Sequence, residues 1–260
     1  MMYIDQLNRK IKLPKRPERI ISLVPSQTEL LVSLGLIDRI VGITKFCVHP
    51  TSIKKQKTIV GGTKKIKHET IKKLNPDIIL CNKEENTKEI ITLLEEGFPV
   101  HVSDIISISD ALQMIKQYGT IFSKEEEALD LISRIKIEKE LFEKFVSKKK
   151  PKKVAYFIWK DPWMSVGNHT FINEMLKING FINAFEDKTR YPEIKKNEMS
   201  KVDDLDVIML SSEPFPFSER HIEEVKVFYP KADVILVDGE YFSWYGSRMV
   251  EAFTYFRSLH

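Results

Sequence analysis

Two stretches of this chain bring together side chains whose chemistry goes beyond packing. Ser243-Trp244-Tyr245-Gly246-Ser247-Arg248 sets two aromatic faces, a glycine and a guanidinium side by side. Aromatic faces with one cation suit a large ligand that is partly apolar and partly anionic. Cys47-Val48-His49 offers a thiolate and an imidazole two residues apart, a pair that a soft metal accepts. Two ligands do not make a site. The remaining ones would have to come from Cys81, His101 or Glu240, with nothing to choose among them, and Cys47 reads more readily as a small buried hydrophobe. We therefore assign no metal site. No nucleophile elbow is present, and Gly61-Gly62-Thr63-Lys64 lacks the spacing of a phosphate-binding loop. The chain reads as a binder and not as an enzyme.

The elements that must position these residues alternate between short apolar runs and helical patterns, which predicts βα units and parallel sheets. Strands are expected at Arg19 to Val24, Ile40 to Ile43, Ile78 to Cys81 and Val100 to Val102. Between them lie a helix capped by Ser26 or Thr28 and ended by Gly35, with Glu29 in its first turn, a loop from Thr44 to Gly62, a helix at His68 to Leu74 and another at Thr87 to Glu96. A helix at Ser107 to Gly119 follows, then a longer one at Ser123 to Ser147. Ser123 and Glu126 have the spacing of a capping box for that second helix, which would be roughly 37 Å long at its rise per residue.

The βα rhythm then restarts. Strands are expected at Val154 to Trp159, Val207 to Leu210 and Val234 to Val237, with helices at Thr170 to Asn179, Glu198 to Val202, His221 to Val227 and Met249 to Leu259. The two halves repeat one another. His68-Glu69 leads into Asp77-Ile78-Ile79-Leu80, and Asn197-Glu198 into Asp206-Val207-Ile208-Met209, each glutamate eight residues before its aspartate. The expected fold is α/β: a lobe at 1–122, a connecting helix at 123–149 and a similar lobe at 150–260.

A chain of 260 residues is long enough for two lobes with cores of their own. The formal net charge of +4 is small, and 41 basic residues are interspersed with 37 acidic ones, so a solvated surface is expected and no nucleic-acid partner. Cys47 and Cys81 make no disulfide framework. The segment from Met1 to Lys10 has no apolar core of a signal peptide. As it stands the chain is expected in the cytoplasm, unless an export signal precedes it.

In order, the motifs are Ile21-Ser22-Leu23-Val24-Pro25-Ser26-Gln27-Thr28-Glu29, Phe46-Cys47-Val48-His49-Pro50, Val60-Gly61-Gly62-Thr63, Leu74-Asn75-Pro76-Asp77, Trp159 through Trp163, and the closing Ser-Trp-Tyr-Gly-Ser-Arg. With this layout the chain resembles the helical-backbone (class III) solute-binding proteins of ABC importers, which bind cobalamin, ferric siderophores, haem or metal ions. The likeness runs from about Arg19 to Leu259 and is greatest to the cobalamin-binding member. It implies two Rossmann-like lobes joined by one rigid helix, a ligand crevice between them, a monomer, an ABC permease as partner and a periplasmic or cell-envelope location. The implied ligand is a cobalamin-like corrinoid or a metal chelate such as a ferric siderophore or haem. An alternative is a cytoplasmic protein that binds, senses or processes a metal chelate on the same fold.

Loops after the strands would line the crevice. They supply Phe46, Cys47, His49 and Asn82 from the first lobe, and Trp159, Trp163, Tyr191, Phe242, Trp244, Tyr245 and Arg248 from the second. Phe46, Trp163, Tyr191 and the stretch Glu240 to Arg248 fall on ligand-contacting positions of the cobalamin-binding member, although Trp244 stands where that member has arginine. Core packing is the competing reading for the strand-end Trp159 and Phe242, and a structural bond for Arg248. Glu69 and Glu198 match the paired glutamates by which the family docks onto its transporter. Ser211 to Phe217 also follows a strand, with prolines that stiffen it.

Overall fold

The fold, a computed structural model describing residues 1–195, 198 and 204–260, divides into two compact units. The first is Met1–Ile135 with Tyr245–Arg248, the second Lys136–Trp244 with Met249–His260.

The first unit is built on a parallel sheet. Its strands are β3 (Ile20–Ser22), β4 (Ile40–Ile43), β5 (Thr58–Ile59), β6 (Ile78–Asn82) and β7 (Val100–Ser103), in the order β5-β4-β3-β6-β7. The central β3 and β6 are buried at every position, the pattern of a parallel sheet covered on both faces. A hairpin of β1 (Met2–Ile4) and β2 (Lys10–Lys12), unforeseen in the sequence, precedes it. The helices are α1 (Pro25–Ser33), α2 (Ile53–Gln56), α3 (His68–Leu74), α4 (Lys88–Glu95) and α5 (Ile108–Phe122). α2 and β5 both lie where the sequence suggested only a loop.

Two helix starts differ from expectation. α1 begins at Pro25 after Val24, with no side-chain cap, because proline at the first turn leaves one less amide to satisfy. Thr28 instead donates to the Val24 carbonyl at 3.0 Å and Ser22 Oγ at 2.8 Å, and Glu29 stands beyond the first turn. Ser123 does not open the long helix. It closes α5 in a left-handed conformation (φ 50°) with its N–H on the Gly119 carbonyl. That helix, α6 (Glu125–Val146), runs for 22 residues, and the unit boundary falls inside it.

The second unit carries β8 (Lys152–Trp159), β9 (Met164–Ser165), β10 (Phe181–Asn183), β11 (Val207–Ser211) and β12 (Asp233–Val237). β10-β8-β11-β12 are parallel, and β9 adds antiparallel to β8. Its remaining helices are α7 (Phe171–Ile178), α8 (Glu219–Lys226), α9 (Gly239–Ser243) and α10 (Met249–Arg257). The helix expected at Glu198 to Val202 lies, apart from Glu198, outside the described residues. No helix among the described residues is long and apolar enough to cross a membrane.

The internal repeat is visible in hydrogen bonds. In the first unit Asp77 donates its N–H to the Arg19 carbonyl at 2.8 Å, and its carboxylate accepts from Glu18 N and Arg19 N at 2.9 Å each. In the second, Asp206 donates to the Lys153 carbonyl at 2.9 Å and accepts from Lys153 N at 2.7 Å. Each aspartate ties the start of its strand to the start of the neighbouring one.

β7 also buries a histidine. His101 is wholly enclosed, with Nε2 at 3.2 Å from Gln117 Oε1 and its ring edge on Tyr118. Burial pushes its pKa down to about 4, against the nearby Asp5 carboxylate and with the Arg9 charge. Between about pH 6.5 and 4 the unfolded chain takes up a proton that the folded chain refuses. Stability is therefore lost as pH falls through this window, by roughly 3 kcal/mol in full. Urea unfolding at pH 7.5 and 4.5 should show a smaller acid loss in His101→Gln than in the parent, and equal losses would refute the assignment.

Candidate functional site

In a parallel sheet with helices on both faces, ligands meet the loops at the strands' carboxyl ends. In the first unit, the loop after β4 presents Phe46, 49% exposed, with the Lys45 ammonium 4.9 Å from its ring centroid. A Cβ on Gly62 would lie 3.1 Å from the Phe46 ring, so that glycine lets the ring settle against the neighbouring loop. Cys47, next in sequence, turns inward. Its sulfur is buried at 3.1 Å from Thr28 Oγ1 and 3.3 Å from Thr44 Oγ1. Burial pushes the thiol pKa up, with the threonine hydroxyls opposing, so the group is a neutral packing element. His49 is half-buried. Asn82 is buried and bonded to Ser103, a structural part of its loop rather than a lining group.

Tyr245–Arg248 belongs to this same unit. The Tyr245 hydroxyl lies 3.5 Å from Gln27 Nε2, in a buried network where Gln27 donates to Ser103 Oγ at 2.7 Å and accepts from Tyr118 OH at 2.8 Å. Arg248 is 9% exposed and forks onto Glu29, with Nη2–Oε1 at 2.6 Å and Nε–Oε2 at 3.1 Å. The structure thus gives the guanidinium a protein carboxylate as its partner. No sequence signal ties position 29 to position 248.

In the second unit the aromatic side chains sort by depth. Trp159, at the end of β8, is 38% exposed, and Phe215 of the loop after β11 packs edge-on against it at 5.6 Å. Trp163 is 4% exposed, stacked on Phe217 at 5.8 Å and edge-on to Phe157 at 5.4 Å. Phe242 is enclosed between Tyr156 and Phe256. Trp244 is buried, its indole N–H donating at 2.9 Å to Glu213 Oε1, which also accepts from the Ser243 hydroxyl at 2.6 Å. Tyr191 is half-buried. Trp159 and the Ser211 to Phe217 loop were both candidates for the crevice lining; that Phe215 packs on Trp159 was not foreseen in the sequence.

Glu69 lies in the first turn of α3 with its side chain 79% exposed, 3.3 Å from Lys72. Glu198 accepts from Lys195 N at 3.1 Å and lies 3.4 Å from Lys188. Each precedes by eight residues the aspartate that pins its sheet. Among the described residues no three His, Cys, Asp or Glu side chains gather as a metal site, and Cys81 and His101 are enclosed in the core.

Residues 20–227 match the family described as periplasmic binding protein. The chain is 30% identical over 206 residues to the uncharacterized ABC transporter substrate-binding lipoprotein YvrC of Bacillus subtilis, covering 76% of this chain and 65% of that one. It is 27% identical over 187 residues to the vitamin B12-binding protein of Yersinia pestis, covering 70% of this chain and 65% of that one. The match thus spans just under two thirds of the length of these curated relatives. Among solved structures, a possible iron-binding (periplasmic solute-binding) protein of Staphylococcus epidermidis superposes with a TM-score of 0.78 at 26% identity, over 94% of this chain and 98% of that one.

Proposed function

Because the chain belongs to the periplasmic binding protein family, we propose that it is the substrate-binding protein of an ABC importer. It captures a cobalamin-like corrinoid or a metal chelate such as a ferric siderophore or haem, and hands it to a membrane permease. It acts by binding, without catalysing a reaction, and works at the cell envelope. Glu69 and Glu198 are the acids that meet the permease. Their matching distance from Asp77 and Asp206 supports that role, since helix-start electrostatics alone would not repeat the position in both halves.

The observation that carries the binding role is the exposed Trp159 at the carboxyl end of β8, with the half-buried Phe215 packed edge-on against it. It offers an apolar face on which a flat macrocycle or aryl chelate stacks. Titration with cyanocobalamin, haem and a ferric siderophore, read by tryptophan quenching, should give saturable binding of at least one of them at micromolar concentration. Trp159→Ala should weaken that binding by up to about tenfold, the worth of one ring pair. Silence from all three ligands would end this reading.

A further inference from the structure

The loop after β6 reads Asn82-Lys83-Glu84-Glu85-Asn86. Its two asparagines are each 2% exposed and spend their side chains on holding the turn. Asn86 Oδ1 accepts from Asn82 N at 2.9 Å, and Asn82 Oδ1 from Glu84 N at 2.8 Å and Glu85 N at 3.2 Å. The amide of Asn86 donates to the Thr63 carbonyl at 3.0 Å and that of Asn82 to Ser103 Oγ at 3.0 Å. A turn clamped by this many buried bonds keeps its shape, because moving it would open them together.

What the clamped turn presents is Glu85. Lys83 is taken by Asp104 at 2.6 Å, and the Glu84 carbonyl is taken by Lys64. The Glu85 carboxylate makes no hydrogen bond or ion pair with any described residue, yet it is half-buried and its oxygens are not sealed from solvent. Loss of hydration pushes its pKa up, with the Lys64 charge opposing. Its charge is felt by Tyr245 of the same unit, whose hydroxyl is in turn held near Gln27. A carboxylate partly stripped of water and given no protein donor is held at a free-energy cost, which a donor arriving from outside removes. A second carboxylate arriving there raises that cost. The arginine expected to attract such an anion, Arg248, is already forked onto Glu29.

We propose that Glu85 determines specificity at the ligand-binding loops: its carboxylate receives a hydrogen-bond-donating group of the ligand, a primary amide or an amine, and disfavours ligands that bring a carboxylate there. The substrate class becomes an amide- or amine-bearing corrinoid or chelate, as against a polycarboxylate one. This rests on the binding role proposed above and narrows it.

The test uses two matched pairs of probes. Cyanocobalamin, with its peripheral amides, is set against the same corrinoid with those amides hydrolysed to carboxylates, and ferrioxamine B, which carries an ammonium, against ferric citrate. In the parent protein the amide- or ammonium-bearing probe of at least one pair should bind about tenfold or more tightly than its partner, the size expected of a charge-assisted hydrogen bond. In Glu85→Gln the preference should shrink to about threefold or less, and in Glu85→Lys it should invert. Unchanged urea midpoints in both variants would separate this from a folding defect. A preference that survives in Glu85→Gln, or a parent that favours the carboxylate probe, overturns the inference and leaves the binding role standing. If neither these probes nor haem bind the parent at all, the binding role falls and the inference with it.

Discussion

Replacing Arg248 with alanine is expected to cost about 3–5 kcal/mol of stability, the range seen when one partner of a buried ion pair is removed. The guanidinium is 9% exposed and the Glu29 side chain 21%, so neither partner can turn to water when the other is lost. Glu29→Gln should cost less, because its amide oxygen can still accept a hydrogen bond from the guanidinium. The pair Glu29→Leu with Arg248→Met should recover much of the loss, since apolar side chains of similar volume often replace a buried ion pair without penalty. Urea unfolding of the three variants measures this. If Arg248→Ala instead kept its unfolding midpoint and lost ligand affinity, the guanidinium would be a ligand contact and Glu29 merely its neighbour.

The second large effect separates two tryptophans that sit near one another in sequence. Trp163→Ala should destabilise by about 3–5 kcal/mol, because the indole fills a site between Phe217 and Phe157 and a cavity would remain. Trp159→Ala should change stability by about 0.5 kcal/mol or less, as solvent-facing side chains do, and should show its effect in ligand quenching instead. The paired readout is decisive. Comparable stability losses in both variants would mean that Trp159 is core, and the exposed aromatic face would have to be sought elsewhere.

How these two tryptophans divide illustrates what could be seen in advance. The parallel strands were legible because a sheet covered on both faces leaves no polar alternation, so Ile78 to Cys81 and Val207 to Leu210 stand out as unbroken apolar runs. The repeat was legible through Asp77 and Asp206, whose hydrogen bonds need a carboxylate at the strand's start in each half. Depth within a loop was not legible. Trp159, Trp163, Phe242 and Trp244 are alike in type, and only the fold decides that Phe217 covers one while solvent meets another. Ser123 misled because serine before glutamates reads as a helix start, whereas its positive φ ends the preceding helix and Gly119 lets α5 approach Ala128 closely. Glu29 and Arg248 lie too far apart in sequence for any local pattern to pair them. Glu85 was passed over because an acid next to an acid on a loop looks like ordinary solvated surface, and that no described residue pairs with its carboxylate shows only in three dimensions.

The membership of Tyr245–Arg248 in the first unit bears on how this protein is made. Domains generally fold as they leave the ribosome, amino-terminal portion first. Here a nascent chain ending at Ile135 would still lack the hydroxyl that approaches Gln27 and the guanidinium that neutralises Glu29. Gene fusions, fragment expression or recombination that cut at the midpoint would release the same unfinished piece. The unit whose synthesis begins first therefore cannot close until residue 248 has emerged, after most of the second unit has been made.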